Sequence, residues 1–207
     1  MNQKADKIVL VEGVDGAGKS TYVSRVESEC TDFCDIQVVS FPSPALRERL
    51  RVGDSVNRGE FLIDFEDVLD EVDKSVDMIV CDRSFISTAV YQLSSPFTMY
   101  ETIELGLEIF SQHADRIEIY HIKEDYDKIC DRLISRVSLS NIESSETMDG
   151  MEQFVLYCIS ELGLLRGRLE IKDVLGIMDK LYMAAIETTL ELCSRYGIAC
   201  SYETVKL

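Results

Sequence analysis

Short apolar runs alternate with longer amphipathic stretches along this chain. The short runs are bounded by turn residues and predict strands at 8–11, 35–41, 78–81, 116–122 and 198–203. In the longer stretches the apolar side chains recur every three to four residues. This period predicts helices at 19–29, 44–52, 60–76, 84–92, 98–114, 125–136, 149–165 and 171–196. Strands that alternate with helices predict a three-layer α/β fold, with a five-stranded, mainly parallel sheet that binds ligands at the carboxyl ends of its strands.

The length of the chain predicts a single domain. Its 207 residues are enough to bury one sizeable core, and we find neither a linker nor an internal repeat. Although 46% of the residues are hydrophobic, no apolar run reaches the length of a membrane span. Lys4 and Lys7 lie near the amino terminus without a signal-type apolar segment, so we expect a cytoplasmic protein.

The composition argues against several classes of partner. A net charge of −17 repels nucleic acid and anionic membranes, so we expect neither as a partner. Seven scattered cysteines and only two histidines give no zinc-ligand spacing, and we expect reduced thiols. A phosphate-binding protein of this charge must concentrate its few basic residues at the site.

The most specific motif is the run Gly13-Val14-Asp15-Gly16-Ala17-Gly18-Lys19-Ser20, which matches the phosphate-loop pattern G-x-x-x-x-G-K-[ST] at every fixed position. Glycines let the backbone turn its N–H groups toward phosphate oxygens, and the following helix adds its positive dipole end. Lys19 supplies a charge for the β- and γ-phosphates of ATP, and the Ser20 hydroxyl can ligate Mg²⁺. The predicted nucleotide-binding residues are Gly13, Asp15, Gly16, Ala17, Gly18, Lys19, Ser20 and Thr21.

A second candidate lies at Asp82-Arg83, directly after the apolar run 78–81. A carboxylate at the carboxyl end of a parallel strand, beside a phosphate loop, is where Mg²⁺ and its waters are held. Ser20 and Asp82 are therefore the predicted metal-binding residues.

Two segments together resemble the thymidylate kinase family of P-loop nucleoside monophosphate kinases. They are the phosphate loop at 11–21 and the segment 82–92, which carries Asp-Arg, then Ser-Thr, then Tyr-Gln at matching offsets. Their separation, about one βαβαβ unit, also matches, and the resemblance covers residues 7–160. It implies a P-loop NTPase fold, ATP and Mg²⁺ as cofactors, and a homodimer.

The resemblance also implies roles for individual residues. Asp15 would lie near the acceptor phosphate, the sugar and the metal, and Arg83 would hold the acceptor phosphate. Tyr91 would press on the deoxyribose and exclude a 2′-hydroxyl, and Phe61 would stack on the base. The implied substrate-binding set is Asp15, Phe41, Pro42, Phe61, Phe65, Arg83, Ser87, Thr88, Tyr91 and Gln92.

A lid segment is implied at about 136–152, around a serine-rich, acidic loop. Arg136, and after it Arg132, would reach across the transferring phosphoryl group, which makes Lys19, Arg83, Asp15, Arg136 and Arg132 the expected catalytic residues. The alternative for both lid arginines is an ordinary surface salt bridge to the nearby aspartates of the same helix.

The chain departs from the family pattern at four places. The family usually carries an arginine one turn after its stacking phenylalanine, where this chain has Phe65, and an arginine is also common where it has Ser43. The lid is acidic, and the chain ends at Leu207, soon after the last predicted strand, where the family usually adds a helix. Because an apolar ring cannot donate a hydrogen bond, we expect altered or relaxed base selectivity.

The sequence therefore predicts a divergent kinase that transfers the γ-phosphoryl group of ATP to dTMP or a related pyrimidine deoxynucleotide. A kinase for a modified deoxyuridylate and a deoxynucleoside kinase are enzymatic alternatives, although the latter usually has Glu in place of Asp82. A catalytically weak nucleotide-binding partner is an alternative of another class. A GTPase switch is disfavoured because no Asn-Lys-x-Asp motif is present.

Overall fold

The computed structural model describes residues 4–30, 34–73, 75–133 and 171–207. The strands are β1 (Lys7–Glu12), β2 (Ile36–Ser40), β3 (Met78–Asp82), β4 (Arg116–Lys123) and β5 (Ala199–Lys206). The helices are α1 (Lys19–Cys30), α2 (Pro44–Arg51), α3 (Arg58–Asp70), α4 (Phe85–Tyr91), α5 (Pro96–Phe110), α6 (described over 126–133) and α7 (Ile171–Tyr196). None of the helices in these ranges is long and apolar enough to cross a membrane.

The five strands form one sheet in the order β2-β3-β1-β4-β5, and every neighbouring pair is parallel. In the register, Val9 of β1 lies opposite Val80 of β3 on one side and Glu118 of β4 on the other. The carboxyl ends of all five strands therefore meet along one edge, where the predicted site residues follow β1 and β3. The predicted α/β fold with a five-stranded parallel sheet is confirmed.

Helices cover both faces of the sheet. Tyr22 of α1 contacts Tyr120 of β4 at a ring-centroid distance of 5.6 Å, whereas Tyr182 of α7 contacts the next residue, His121, at 6.0 Å. Successive residues of a strand point to opposite faces. Helices α1 and α7 therefore lie on opposite faces, and α7 shares its face with α4 and α5.

An aromatic cluster fills the core under the edge that carries the site. Phe65 of α3 packs edge-to-face against Phe41 (5.4 Å) and Phe85 (5.6 Å), and all three rings are buried. Helix α5 approaches Phe85 closely because Gly106 has no side chain there: a Cβ atom at Gly106 would lie 2.2 Å from Phe85 Cγ. This packing fixes α4, and with it the residues just before α4 in the chain.

Several element boundaries differ from the prediction. Helix α3 ends at Asp70 instead of 76, because the Asp73 side chain accepts the N–H of Ser75 at 2.9 Å and closes a local turn. Helix α5 begins at Pro96, where Ser95 is the N-cap and accepts the N–H of Thr98. Strand β5 continues to Lys206, in register with the full length of β4. The predicted helix at 149–165 and the implied lid at 136–152 lie outside the described residues.

Candidate active site

The phosphate loop follows β1 and needs glycine at three positions. Gly13, Gly16 and Gly18 have φ angles of 141°, 79° and 96°, which residues with a side chain rarely adopt. At Gly13 the restriction is also steric, since a Cβ atom would lie 2.6 Å from the carbonyl oxygen of Ile122 in β4. The loop is thus pressed against the end of the neighbouring strand. Ala17 is buried beneath it, and Thr21 is exposed in the first turn of α1.

Lys19, the first residue of α1, folds back over the loop that precedes it. Its Nζ atom donates to the carbonyl oxygens of Gly13 and Val14, both at 2.9 Å, and lies 3.9 Å from Asp15 Oδ1. The side chain is only 6% exposed. The ammonium group is therefore held at the centre of the loop, close to the backbone N–H groups that the motif provides for phosphates.

Ser20 and Asp82 meet across the gap between the phosphate loop and the end of β3. Ser20 Oγ donates to Asp82 Oδ2 at 2.7 Å. A hydroxyl and a carboxylate oxygen are hard ligands of the kind that Mg²⁺ prefers, and two protein ligands leave room for waters and phosphate oxygens. This pair fits the predicted metal site.

Arg83 has the most constrained backbone of the predicted residues. Its φ angle is 77°, and it is the only non-glycine residue with a positive φ among the residues that the structure describes. The buried guanidinium forms an ion pair with Asp15 through Nη2, and its Nη1 donates to the hydroxyl oxygen of Tyr182 at 3.2 Å. It also lies over the ring of Tyr91, 5.7 Å from the centroid. Asp15 consequently lies between two cations, Lys19 and Arg83.

Glu12, which sequence reasoning missed, is a buried carboxylate beneath this turn. It accepts hydrogen bonds from Ser84 Oγ at 2.5 Å and from Ser87 Oγ at 2.7 Å. The pKa of Glu12 is raised to about 7. Burial raises it, and this effect is larger than the combined lowering by the hydrogen bonds of both serines and the charge of Arg83. Glu12 could have been found from the sequence, because it is an acidic residue at the end of an otherwise apolar strand. A carboxylate buried in such a strand needs polar partners.

A cavity of about 300 Å³ opens beside Arg83, and we call it the Phe61 cavity. Most of the predicted substrate-binding residues line it: Phe41, Pro42, Phe61, Arg83, Ser87, Thr88, Tyr91 and Gln92. The Tyr91 hydroxyl reaches Asp15 Oδ2 at 3.4 Å, which connects the cavity to the phosphate loop. The buried hydroxyl oxygen of Thr88 has no hydrogen-bond partner among the described residues, so a polar group in the cavity could satisfy it.

Phe65 does not belong to this cavity. Its ring is fully buried behind Phe41 and is absent from the described residues that line the cavity. A role for Phe65 in substrate binding therefore stays a prediction; in this structure its ring packs against Phe41, which does line the cavity. Leu50 near the end of α2 and the segment 54–56 after it also line the cavity, although none of these residues was singled out from the sequence.

A second cavity, of about 520 Å³, lies on the other side of the phosphate loop, and we call it the Tyr126 cavity. Its lining comes from the loop, from the ends of β4 and β5, and from α6 and α7: Val14, Ile122, Lys123, Glu124, Asp125, Tyr126, Ile129, Asp179, Lys206 and Leu207. Among these, Asp179 lies 3.1 Å from His121 Nε2 and 3.0 Å from Lys123 Nζ. Burial alone raises the pKa of Asp179, but these two partners lower it to about 2. Neither Asp179 nor His121 was singled out from the sequence.

Arg132, the second of the two implied lid arginines, contacts the phosphate loop. Its Nη1 donates to the carbonyl oxygen of Gly16 at 2.8 Å, and its Nη2 contacts Glu124 at 3.1 Å. The side chain is 43% exposed, so it is free to exchange the Gly16 carbonyl for another acceptor at the loop. Arg136, the first choice for the lid arginine, lies outside the described residues.

Comparison with known proteins gives one curated relative. No family model matches the chain. The thymidylate kinase of Campylobacter concisus (strain 13826) is 29% identical over 154 residues, which cover 66% of this chain and 75% of that protein.

Two solved structures show weak overall similarity. The thymidylate kinase of Ehrlichia chaffeensis aligns with a TM-score of 0.46 and 18% identity over 67% of this chain and 89% of its own. The YorR protein of Bacillus subtilis, solved in complex with phosphorylated GDP, aligns with a TM-score of 0.49 and 14% identity over 96% and 85%. The phosphate loop and the Asp-Arg turn, which carry the resemblance in the sequence, are both in place, and the chain is similar to a thymidylate kinase over about two thirds of its length.

Proposed function

We propose that this protein is a nucleoside monophosphate kinase, which transfers the γ-phosphoryl group of ATP to dTMP or a related pyrimidine deoxynucleotide. The observation that carries the proposal is the position of Lys19 and Arg83, which both approach the same carboxylate oxygen, Asp15 Oδ1. Arg83 lines the Phe61 cavity, and Val14 of the phosphate loop lines the Tyr126 cavity. Two nucleotides bound in these cavities would bring their phosphates together between the two cations.

The acceptor nucleotide would occupy the Phe61 cavity. Its aromatic wall suits a base, and the Thr88 hydroxyl and the Gln92 amide supply polar contacts. The phosphate of the acceptor would replace Asp15 as the partner of the Arg83 guanidinium, because a phosphate is a bidentate partner of higher charge. Tyr91, which joins the cavity to Asp15, would lie against the sugar and disfavour a 2′-hydroxyl.

The donor would bind across the phosphate loop, with its nucleoside directed to the Tyr126 cavity. The acceptor phosphate oxygen attacks the γ-phosphorus in line, and no covalent enzyme intermediate is required. Lys19 and Arg132 neutralise the charge that develops on the transferring group, and closure of a lid over 136–152 would exclude water. Ser20 and Asp82 would hold Mg²⁺, which would supply further charge neutralisation at the donor phosphates.

The identity of the base is the open part of the proposal. Arg83 is the only lysine or arginine among the described residues of the Phe61 cavity, and Asp54 adds a carboxylate there. The cavity thus lacks, in its described part, the arginine that would read a thymine carbonyl. A kinase for a modified deoxyuridylate is supported by the same observation.

Dimerisation is proposed on a separate observation. Ile63 of α3 and Phe97 of α5 are 58% and 70% exposed, on two helices that pack against each other. Exposed apolar residues on neighbouring helices suit an interface between two copies. In sedimentation experiments the wild type should be a dimer, and Phe97→Ser should shift toward monomer. A monomeric wild type would contradict this part of the proposal.

The test of the function is ADP release from ATP·Mg²⁺ with a panel of acceptors: dTMP, dUMP, 5-hydroxymethyl-dUMP, dCMP, dGMP, dAMP, UMP and thymidine. We expect turnover with a pyrimidine deoxynucleoside monophosphate and a loss of about 100-fold or more in Lys19→Ala. Preference for thymidine would indicate a deoxynucleoside kinase. Tight nucleotide binding without turnover of any acceptor would indicate a nucleotide-binding partner and contradict the proposal.

A further inference from the structure

Tyr182 lies far from the motifs in the sequence, yet it is part of the Arg83 site. It comes from the middle of α7 and is fully buried. Its ring packs edge-to-face against Tyr91 at 6.1 Å, and its hydroxyl oxygen lies 3.2 Å from Arg83 Nη1 and 3.0 Å from Ser87 Oγ. A tyrosine hydroxyl buried at this depth needs partners, and these are polar groups of the acceptor side.

The direction of each hydrogen bond follows from the chemistry of the two ends. The Glu12 carboxylate can only accept when ionised, so Ser87 donates its proton to Glu12. Ser87 Oγ must then accept from Tyr182, and the Tyr182 oxygen, whose proton is used, must accept from Arg83. The guanidinium can only donate, which agrees with this assignment. Each group therefore donates to the next in the order Arg83, Tyr182, Ser87, Glu12.

This chain of hydrogen bonds orients one half of the guanidinium. Nη1 is fixed by Tyr182, with Ser87 Oγ 3.5 Å away, while Nη2 carries the ion pair with Asp15. An acceptor phosphate can displace Asp15 from Nη2 without disturbing Nη1. We propose that Tyr182 is a positioning residue for phosphoryl transfer, whose hydroxyl holds Arg83 in the orientation that receives the acceptor phosphate.

The inference rests on the proposed function, and Tyr182→Phe tests it, since this change removes only the hydroxyl and keeps the packed ring. A hydrogen bond to a charged group corresponds to a factor of about 10 or more, so we expect the acceptor KM to rise about tenfold. The donor KM should stay within about twofold, because the partners of the Tyr182 hydroxyl among the described residues, Arg83, Ser87 and Tyr91, lie outside the phosphate loop. Tyr202→Phe is the matched control, since it removes a hydroxyl that contacts Thr204 on β5.

A second variant separates positioning from simple loosening of the fold. Ser87→Ala removes the group between Tyr182 and Glu12, and the double variant should be little worse than the poorer single variant, because both act through the same guanidinium. Binding of ADP·Mg²⁺ gives the number of folded sites for normalisation. If Tyr182→Phe does not fold, Ser87→Ala alone should still raise the acceptor KM selectively.

An unchanged acceptor KM in Tyr182→Phe, or equal rises in the KM of donor and acceptor, would overturn the inference and leave the kinase assignment intact. If the wild type transfers no phosphoryl group, calorimetric titration with dTMP replaces KM. Weaker dTMP binding in the variant then supports the positioning role although the assignment as a kinase fails. Wild-type protein that neither turns over nor binds dTMP overturns both.

Discussion

At the scale of single residues, the site is built from charges that are held in fixed positions by burial. Lys19 and Arg83 are both buried; Lys19 has its partners in the phosphate loop, and Arg83 contacts Asp15 of that loop and Tyr182 of α7. In a chain with a net charge of −17, such placement puts positive charge where phosphates would meet, and Arg83 is the one basic residue among the described residues that line the Phe61 cavity. The function therefore depends on a few residues whose neighbours cannot substitute for them.

A substitution at Phe65 tests whether this residue serves core packing or base recognition. Phe65→Arg places a charge without a partner in the aromatic cluster, and we expect a loss of stability on the order of 3–5 kcal/mol. Urea denaturation measures it. Asp67→Arg, at an exposed position of the same helix, is the control and should stay close to the wild type. A stable Phe65→Arg variant that gains activity toward dTMP would mean that residue 65 does reach the acceptor base.

At the scale of elements, the close contact of α4 and α5 sets the position of the turn that carries Arg83. Helix α4 begins two residues after Arg83, with Ser84 as its N-cap, and Phe85 anchors it against α5. Sequence periodicity predicted both helices, but it could not show which of their residues touch. Gly106, which makes the contact possible, is only an unfavourable helix residue when it is considered alone.

Two glycines in helices should respond to alanine in opposite directions. At Gly106 a Cβ atom meets the root of the Phe85 side chain, which cannot move away cheaply, so Gly106→Ala should destabilise the protein by about 1–3 kcal/mol. At Gly176 in α7 the nearest atom, Tyr126 Cε2, is 3.9 Å away, and Gly176→Ala should stabilise by about 0.5–1 kcal/mol. Thermal unfolding of the pair measures both shifts. If Gly106→Ala stabilised the protein as Gly176→Ala does, helix propensity would outweigh the packing of α5 on α4.

At the scale of the whole molecule, the titration of Glu12 should make the free energy of unfolding depend on pH. Its pKa in the folded protein is about 7, above the ordinary value of 4.5, so its contribution to stability is fully present below about pH 4.5 and is lost as the pH rises through 7. The charged and titratable groups that face Glu12 are Arg83, Lys19, Cys81 on β3 and Tyr182 on α7.

Glu12→Gln removes this titration and serves as the comparison. Between pH 5 and 8.5 the wild type should lose stability relative to Glu12→Gln, by on the order of 3 kcal/mol for a shift of this size. Denaturant unfolding across the pH range measures the difference, with Glu203→Gln as an exposed control. A constant difference between wild type and Glu12→Gln would mean that the buried carboxylate does not change its protonation in this range.

The sequence predicted what depends on local pattern and missed what depends on contact between distant segments. The phosphate loop, the Asp-Arg turn and the parallel sheet follow from spacing and apolar runs, and most of the residues predicted for the Phe61 cavity line it. Helical spacing placed Phe65 one turn after Phe61, but it could not show that the Phe65 ring packs in the core against Phe41 and Phe85. Tyr182, Asp179 and the cavity residues near Asp54 became visible only when α7 and the segment before α3 were placed against the site.

The most direct measurement follows the γ-³²P label of ATP in the presence of dTMP, resolved by thin-layer chromatography. The matched variants are Arg83→Gln and Arg195→Gln, the latter altering an exposed arginine of α7 that pairs with Glu191. We expect labelled nucleoside diphosphate from the wild type and from Arg195→Gln, and about 100-fold less from Arg83→Gln. Label that appears only as inorganic phosphate, or equal transfer by Arg83→Gln, would contradict the claim that Arg83 receives the acceptor phosphate of a nucleoside monophosphate kinase.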